Sequence, residues 1–340
     1  MILRPKSSLD RHLTLPGAAS AVPVATVPTW LRRAIPDAQS LAGKDVEELA
    51  LLAGTAIGAL DAVVRRQERW AGAWRQRLAL AAAAVTVKQA GRIEDEAALR
   101  DAFLFTTTGD DFGPAGHLLL GWRRLVTRPS ESLLTGKGLG SMLGDFGHAP
   151  DDEVVGDLVG ELGALCAGGV VGMVTGAFTA AEHYRFGRPV GAWLADALLA
   201  QRLGWTYAVP LLGGENISDA NSGRSRRAAT ASPPLGPKTE PDQTKILLAA
   251  QARAALRAVD LSAELGRRAE KLLAVAPKLR AKAADAVVER LLNEDALVAS
   301  RGDKKTGMSD RGLRRLFDRL VELGAVRELS GRPTFRIYGL

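Results

Sequence analysis

Four arginines, Arg311, Arg314, Arg315 and Arg319, fall within one short segment near the C-terminus, interleaved with Leu313, Leu316, Phe317 and Leu320. The apolar residues recur at i, i+3, i+4 and i+7, the spacing of a helix with one face turned to a core. Ser309 supplies the N-cap and Gly324 the left-handed stop. The arginines then lie on the remaining faces. Guanidinium groups bind phosphate oxygens and the acceptor edge of guanine, so a helix of this kind suits entry into the major groove of duplex DNA. Lys304 and Lys305 in the preceding loop, Arg301–Gly307, and Arg332 in the later turn, Ser330–Pro333, would add phosphate contacts. The same pattern also fits a solvated basic face or a surface that docks another protein.

Other residues with chemical potential lack company. His12, His117, His148 and His183 share no metal-binding helical spacing. Gly109-Asp110-Asp111 pairs two carboxylates that, with His117, would be the starting point of an enzyme. Gly113-Pro114 after them reads instead as a capping turn into the next helix. Glu182-His183 reads as a polar break ending an apolar helix. Gly136-Lys137-Gly138-Leu139-Gly140 is phosphate-friendly in composition but lacks the spacing, and the Ser/Thr after Lys, of a nucleotide-binding P-loop, and it reads as a flexible loop. Cys166 sits in an apolar run without a neighbouring base. No catalytic motif is found, and no cofactor or metal is expected.

The elements that must position the arginines form a recognisable order. A helix over about Lys278–Asn293 is followed by a short second helix at Asp295–Ser300, then the loop, the arginine-bearing helix, and two strands at Val326–Leu329 and Thr334–Tyr338. Phe335 and Ile337 are expected to face the core and Arg336 the solvent, with Arg332 at the tip of the turn. This is the order of a winged helix-turn-helix over about residues 278–340.

Upstream, residues 1–40 are interrupted by Pro16, Pro23, Pro28 and Pro36 and read as an extended arm ending in a short turn near Trp30. Residues 41–212 carry helical periodicity throughout and read as an α-helical domain. Helices are expected from Val46, over Gly72–Ala90, over Glu94–Phe105, from Pro114 and from Pro189. Residues 213–244, rich in Gly, Ser, Pro and Asn, read as a flexible linker. Residues 245–340 read as a helical connector, Thr244 to about Ala274, followed by the winged module. The fold class is therefore mainly α, with one small β-hairpin.

The charge follows this division. The net charge is +7, yet residues 1–212 hold 21 Lys/Arg against 22 Asp/Glu, whereas residues 301–340 hold 10 against 5. A basic C-terminal third is what a nucleic-acid-binding module needs. The lone cysteine excludes a disulfide framework and fits a reducing cytoplasm. No apolar run of signal-peptide length follows Met1, so export is not expected. Leu162–Ala181 is a twenty-residue uncharged stretch, but its Ala, Gly and Thr content and acidic flanks favour a buried soluble helix over a membrane span.

Two blocks carry a family resemblance. Trp70–Leu78 is followed by Glu94–Asp101 and Gly113–Gly116, and the chain ends with Arg314–Leu329 and Gly331–Arg336. Together they resemble the bacterial domain-of-unknown-function family 1403, from about residue 40 onward. The resemblance implies a bacterial, cytoplasmic protein and brings no catalytic residues with it. The expected function is a non-enzymatic DNA-associated protein whose helical domain mediates oligomerisation or partner contact. The alternative is a protein-interaction adaptor that docks through the winged helix.

Overall fold

The computed structural model describes residues 27–35, 41, 43–106, 109–216, 240–279, 284–299, 308–332 and 334–340. Among them are thirteen α-helices and one small antiparallel sheet. Most of the arm expected at 1–40, most of the linker at 213–244 and the loop bearing Lys304 and Lys305 lie outside the described residues.

Helix α1 is Thr29–Ala34 and α2 is Val46–Arg65. Asp45 caps α2 by accepting the Glu48 N–H at 2.8 Å, and its buried stripe is Leu49, Leu52, Ala53, Ala56, Ile57 and Leu60. That stripe packs lengthwise on α11, Glu240–Val275, whose inner face is largely alanine and leucine. The Arg32–Asp260 pair fastens α1 to α11 as well. The expected connector is thus one wall of the helical body, and a single hydrophobic core runs through both.

Two helices are surrounded on nearly all sides. α3, Ala71–Gln89, buries Trp74, Gln76, Leu80, Ala82–Ala84 and Val87 around its circumference. α10, Arg188–Arg202, buries every residue from Val190 to Ala200. Helices apolar all round belong at the centre of a bundle, and alanine there lets neighbours approach closely. α4 (Glu96–Phe105), α5 (Gly113–Thr127), α6 (Ser130–Leu133) and α7 (Gly136–Asp145) complete one side. α8 (Asp152–Ala167) and α9 (Val170–His183) complete the other.

Two expectations in this body are corrected. Gly136–Gly140 opens helix α7 and is not a loop. Thr135 accepts the Gly138 N–H at 3.2 Å, and Leu139, Met142 and Leu143 form a buried stripe that outweighs the glycine content. The uncharged stretch 162–181 is two helices, broken at Gly168-Gly169, and Gly176 of α9 leaves room for the Leu165 side chain of α8. Among the described residues, no helix is long and apolar enough to cross a membrane.

A short 3₁₀ turn, Ala276–Lys278, stands where the helix expected at 278–293 was to begin, and α12 is Ala284–Asn293; residues 280–283 between them lie outside the described residues. Strand β1 is Leu297–Val298, where a second helix was expected. Leu297 is buried and its strand pairs antiparallel with β3, Ile337–Gly339, through Leu297↔Tyr338 and Val298↔Ile337. Long-range pairing overrides the weak local helical signal. After α13, Asp310–Glu322, strand β2, Arg327–Glu328, pairs with the other edge of β3, giving the order β1-β3-β2.

A buried carboxyl closes the bundle near its centre. Asp196 of α10 is 1% exposed and accepts the backbone N–H groups of Leu211 (2.8 Å) and Leu212 (3.2 Å), which fixes the 3₁₀ turn Leu212–Gly214. Gly213 in that turn lies flat against the buried Trp122 ring, a position no Cβ could occupy. Burial pushes the Asp196 carboxyl up to about 7, against the N–H groups that favour its charged form. The folded chain therefore keeps a proton here that the unfolded chain releases near pH 4. Stability falls as pH rises from about 4 to about 7 and levels off above. This one group accounts for roughly 3 kcal/mol between pH 5 and pH 8. Urea unfolding across that range is expected to show the decline, and Asp196→Asn is expected to flatten it; an unchanged slope in the variant contradicts the assignment.

Candidate nucleic-acid interface

Helix α13 is built as its sequence requires. Ser309 accepts the Gly312 N–H at 3.3 Å, Leu313, Leu316, Phe317 and Leu320 are buried, and Gly324 ends the helix at φ +64°. Phe317 stacks on Tyr338 of β3 with ring centroids 4.4 Å apart and planes nearly parallel, which fixes the helix against the sheet. Arg311, Arg314, Arg315 and Arg319 are all exposed, as expected.

They are not equivalent. Arg319 pairs with Glu322 of the same helix at 2.7 Å. Among the described residues, Arg311, Arg314 and Arg315 carry no hydrogen bond or ion pair. Arg314 lines a cleft of about 350 Å³ between α13 and the hairpin, with Asp318, Phe335, Arg336 and Tyr338. Arg336, assigned only to solvent from the sequence, faces that cleft and lies 3.9 Å from Asp318 and 3.7 Å from Glu328. Its placement follows from the register of the β2–β3 pairing, which starts later along the second strand than expected.

Two expectations for the hairpin change. Phe335 does not face the core: it is 62% exposed at φ +55° and meets Phe105 of α4 edge-on at 5.5 Å, whereas Ile337 is buried as expected. The short strand starts only at Ile337, so the alternation that would have turned Phe335 inward does not reach it. Arg332 does not project from a wing tip. Its guanidinium binds Asp101 of α4 through two bonds, at 2.6 and 2.8 Å, and lies 5.8 Å from the Phe105 ring.

The hairpin is thus laid against the helical body, and a second, buried contact holds the same seam. Asp295, at the exit of α12, is bound by Arg77 of α3 and by Arg100 of α4, the latter Nε donating at 2.6 Å. Arg77 also donates to the Asp295 backbone oxygen at 3.2 Å. Burial alone would raise the Asp295 carboxyl; the Arg77 and Arg100 charges outweigh it and hold the group below the usual carboxylate range. Arg69–Glu289 and the Arg268 bond to the terminal Leu340 carbonyl at 3.1 Å add peripheral fastenings.

A family model described as protein of unknown function (DUF1403) matches residues 18–340. The chain belongs to this family. No curated protein matches it. The matched residues span the helical body, α12, α13 and the hairpin, so both sides of the seam fall within the DUF1403 match.

The remaining candidates of the DUF1403 chain resolve into local structure. Asp111 accepts the Gly113 N–H at 3.0 Å and lies 2.7 Å from His117 Nε2, and the first of these bonds holds its carboxyl below the ordinary value, with His117 adding to the effect. The expected capping turn is what the pair builds. His148 Nε2 donates to the Phe186 carbonyl at 3.1 Å, and His183 ends α9 against Tyr184. Among the described residues, no group of three His, Cys, Asp or Glu is arranged to hold a metal.

The seam yields a contrast. Asp295→Ala removes the buried carboxylate shared by two largely buried guanidinium groups and is expected to cost about 3 kcal/mol in urea unfolding. Asp101→Ala removes a half-exposed pair and is expected to cost no more than about 1 kcal/mol. Equal losses would show that the buried triad has no special weight.

Proposed function

We propose that residues 284–340 form a winged helix module that binds duplex DNA, with α13 laid in the major groove. The observation that carries this is the division of α13: four apolar side chains inward, and Arg311, Arg314 and Arg315 outward without partners. The order helix, strand, helix, strand, strand and the β1-β3-β2 sheet support the same architecture. Arg311, near the helix start, stands where the N-terminal turns of a recognition helix approach base edges; Arg314 and Arg315 follow one turn on. Lys304 and Lys305 precede the helix and would extend the phosphate contacts. Arg332 contributes only if it exchanges the Asp101 carboxylate for a phosphate. The helical body carries the module and supplies the surface for oligomerisation or partner contact. No step of catalysis is proposed.

A second reading has one specific observation behind it. Val321 and Leu323, at the far end of α13, are each 39% exposed, which suits docking of the same helix on a protein.

Gel-shift titration of the full chain on random-sequence duplex is expected to show affinity that falls steeply with salt. Arg314→Ala with Arg315→Ala is expected to weaken binding and to lower the log–log salt slope by about 2. Asp101→Asn, which frees Arg332, is expected to tighten it. Absence of binding at low salt refutes the proposal, and partner capture that survives the double arginine substitution favours protein docking.

A further inference from the structure

Phe335 is out of place in two independent ways. Its backbone is left-handed at φ +55°, a region that disfavours bulky side chains, and its ring is 62% exposed. The edge-on meeting with Phe105 at 5.5 Å covers only part of that ring. Ile337, two positions on, is 2% exposed, so the same hairpin does bury an apolar side chain where its backbone is extended. A glycine would take the backbone of Phe335 without strain, as Gly331 does in the preceding turn at φ +61°. A large apolar side chain that is both strained and exposed costs stability twice, and such positions cluster where a chain meets a ligand.

The ring is one wall of the cleft of about 350 Å³ between α13 and the hairpin. Arg314 and Asp318 line it from α13, and Thr334, Arg336 and Tyr338 from the hairpin. Arg314 has neither a hydrogen bond nor an ion pair among the described residues. Arg336 stands 3.9 Å from Asp318 and 3.7 Å from Glu328, beyond hydrogen-bond reach of either, with the Tyr338 hydroxyl as its other polar neighbour. The cleft therefore offers an aromatic ring, N–H donors on two guanidinium groups, and a carboxylate and a hydroxyl that accept. A simple anion would use the donors alone, and an apolar side chain the ring alone. A nucleotide uses all three: a base to stack, a phosphate for guanidinium, and N–H groups on the base edge for a carboxylate. The volume is at the lower end of small-ligand sites, which run from about 300 to 1,000 Å³, and so suits one nucleotide.

We infer that the cleft between α13 and the hairpin binds one unpaired nucleotide, its base stacked on Phe335 and its phosphate held by Arg314 and Arg336. Asp318 accepts from the base edge, so a base with an amino group fits better than thymine. The nucleotide has two possible sources, a free mononucleotide or a base displaced from a duplex beside α13, and the second rests on the DNA-binding reading proposed above. Displacing a base costs least where it is already unpaired. The chain is then a reader of interrupted duplex, with α13 on the paired segment and the cleft on the base that has left it.

The test compares the full chain on a fully paired duplex and on the same duplex carrying one unpaired adenine, by gel shift at equal salt. The bulged duplex is expected to bind about tenfold more tightly. Phe335→Gly should abolish that preference, and Phe335→Tyr should keep it. Phe335→Gly should also melt no lower than the parent, since it relieves the left-handed strain; a ring that served only to pack on Phe105 would instead lower the melting temperature and leave the preference intact. Calorimetric titration with dAMP, against deoxyribose 5-phosphate, removes the duplex from the question, and dAMP is expected to bind about tenfold more tightly. Equal affinity for the two duplexes, or a preference that persists in Phe335→Gly, overturns the inference and leaves the reading of α13 standing. If neither duplex binds, the reading of α13 fails, and dAMP binding no tighter than deoxyribose 5-phosphate then overturns the cleft as well.

Discussion

Asp295 gives both carboxylate oxygens to arginines from two different helices, Arg77 on α3 and Arg100 on α4, and it does so with only 6% of its surface exposed. The residue lies between α12 and β1, at the entrance to everything C-terminal. Its partners belong to the helix at the centre of the bundle and to the helix that receives the hairpin. A buried carboxylate that loses its cations, or cations that lose their carboxylate, cannot be rehydrated without opening the seam. The exposed fastenings, Arg69–Glu289 and Arg332–Asp101, are screened by water and fix direction more than they supply stability. The attitude of α13 is therefore set by a charge cluster about which α13 itself carries no information.

That arrangement constrains what the arginines of α13 can do. Phe317 against Tyr338 locks the helix to the sheet, β1 locks the sheet to Asp295, and Asp295 locks the whole to α3 and α4. A helix held this way offers a fixed face with little conformational entropy left to lose on binding, whichever partner it meets. The Arg332–Asp101 pair is a half-exposed link in the chain of contacts, made through two bonds. It is also the one whose cation a phosphate could take over.

How much of this was legible in the sequence depends on the range of the interaction. The stripe Leu313, Leu316, Phe317, Leu320 and the cap at Ser309 are local, so α13 could be read directly, as could α2 from Leu49 to Leu60. The turn residues Ser330–Pro333 marked the two strands around them, which form as β2 and β3, shorter than expected, whereas β1 exists because Leu297 meets Tyr338, forty-one positions away. The helix α7 was hidden by its glycines, whose low propensity is overcome by a side-chain cap and three buried apolar residues. The break at Gly168-Gly169 was visible as composition but not as a turn. Asp295, Arg77, Arg100 and Asp101 carried no signal at all. Each is an ordinary charged residue on a helix or at its end, and only the tertiary packing makes them a cluster.

The same packing changes the meaning of the basic C-terminal third. Residues 301–340 hold 10 Lys/Arg, but Arg319, Arg332 and Arg336 are set against Glu322, Asp101 and the Asp318–Glu328 pair. Arg311, Arg314 and Arg315 remain on the described face of α13, with Lys304 and Lys305 ahead of it. Counted with Arg301 and Arg327, these make at most seven contacts and a log–log salt slope of about −6, short of a repressor-like slope near −10. One copy of this chain would therefore grip DNA weakly and without much register. Two copies, held at a fixed separation, would double the phosphate contacts and convert the second contact into an intramolecular event. A DNA-binding role thus places a demand on the helical body: to pair, or to recruit a partner that pairs, and so to supply by geometry the affinity that α13 lacks in charge.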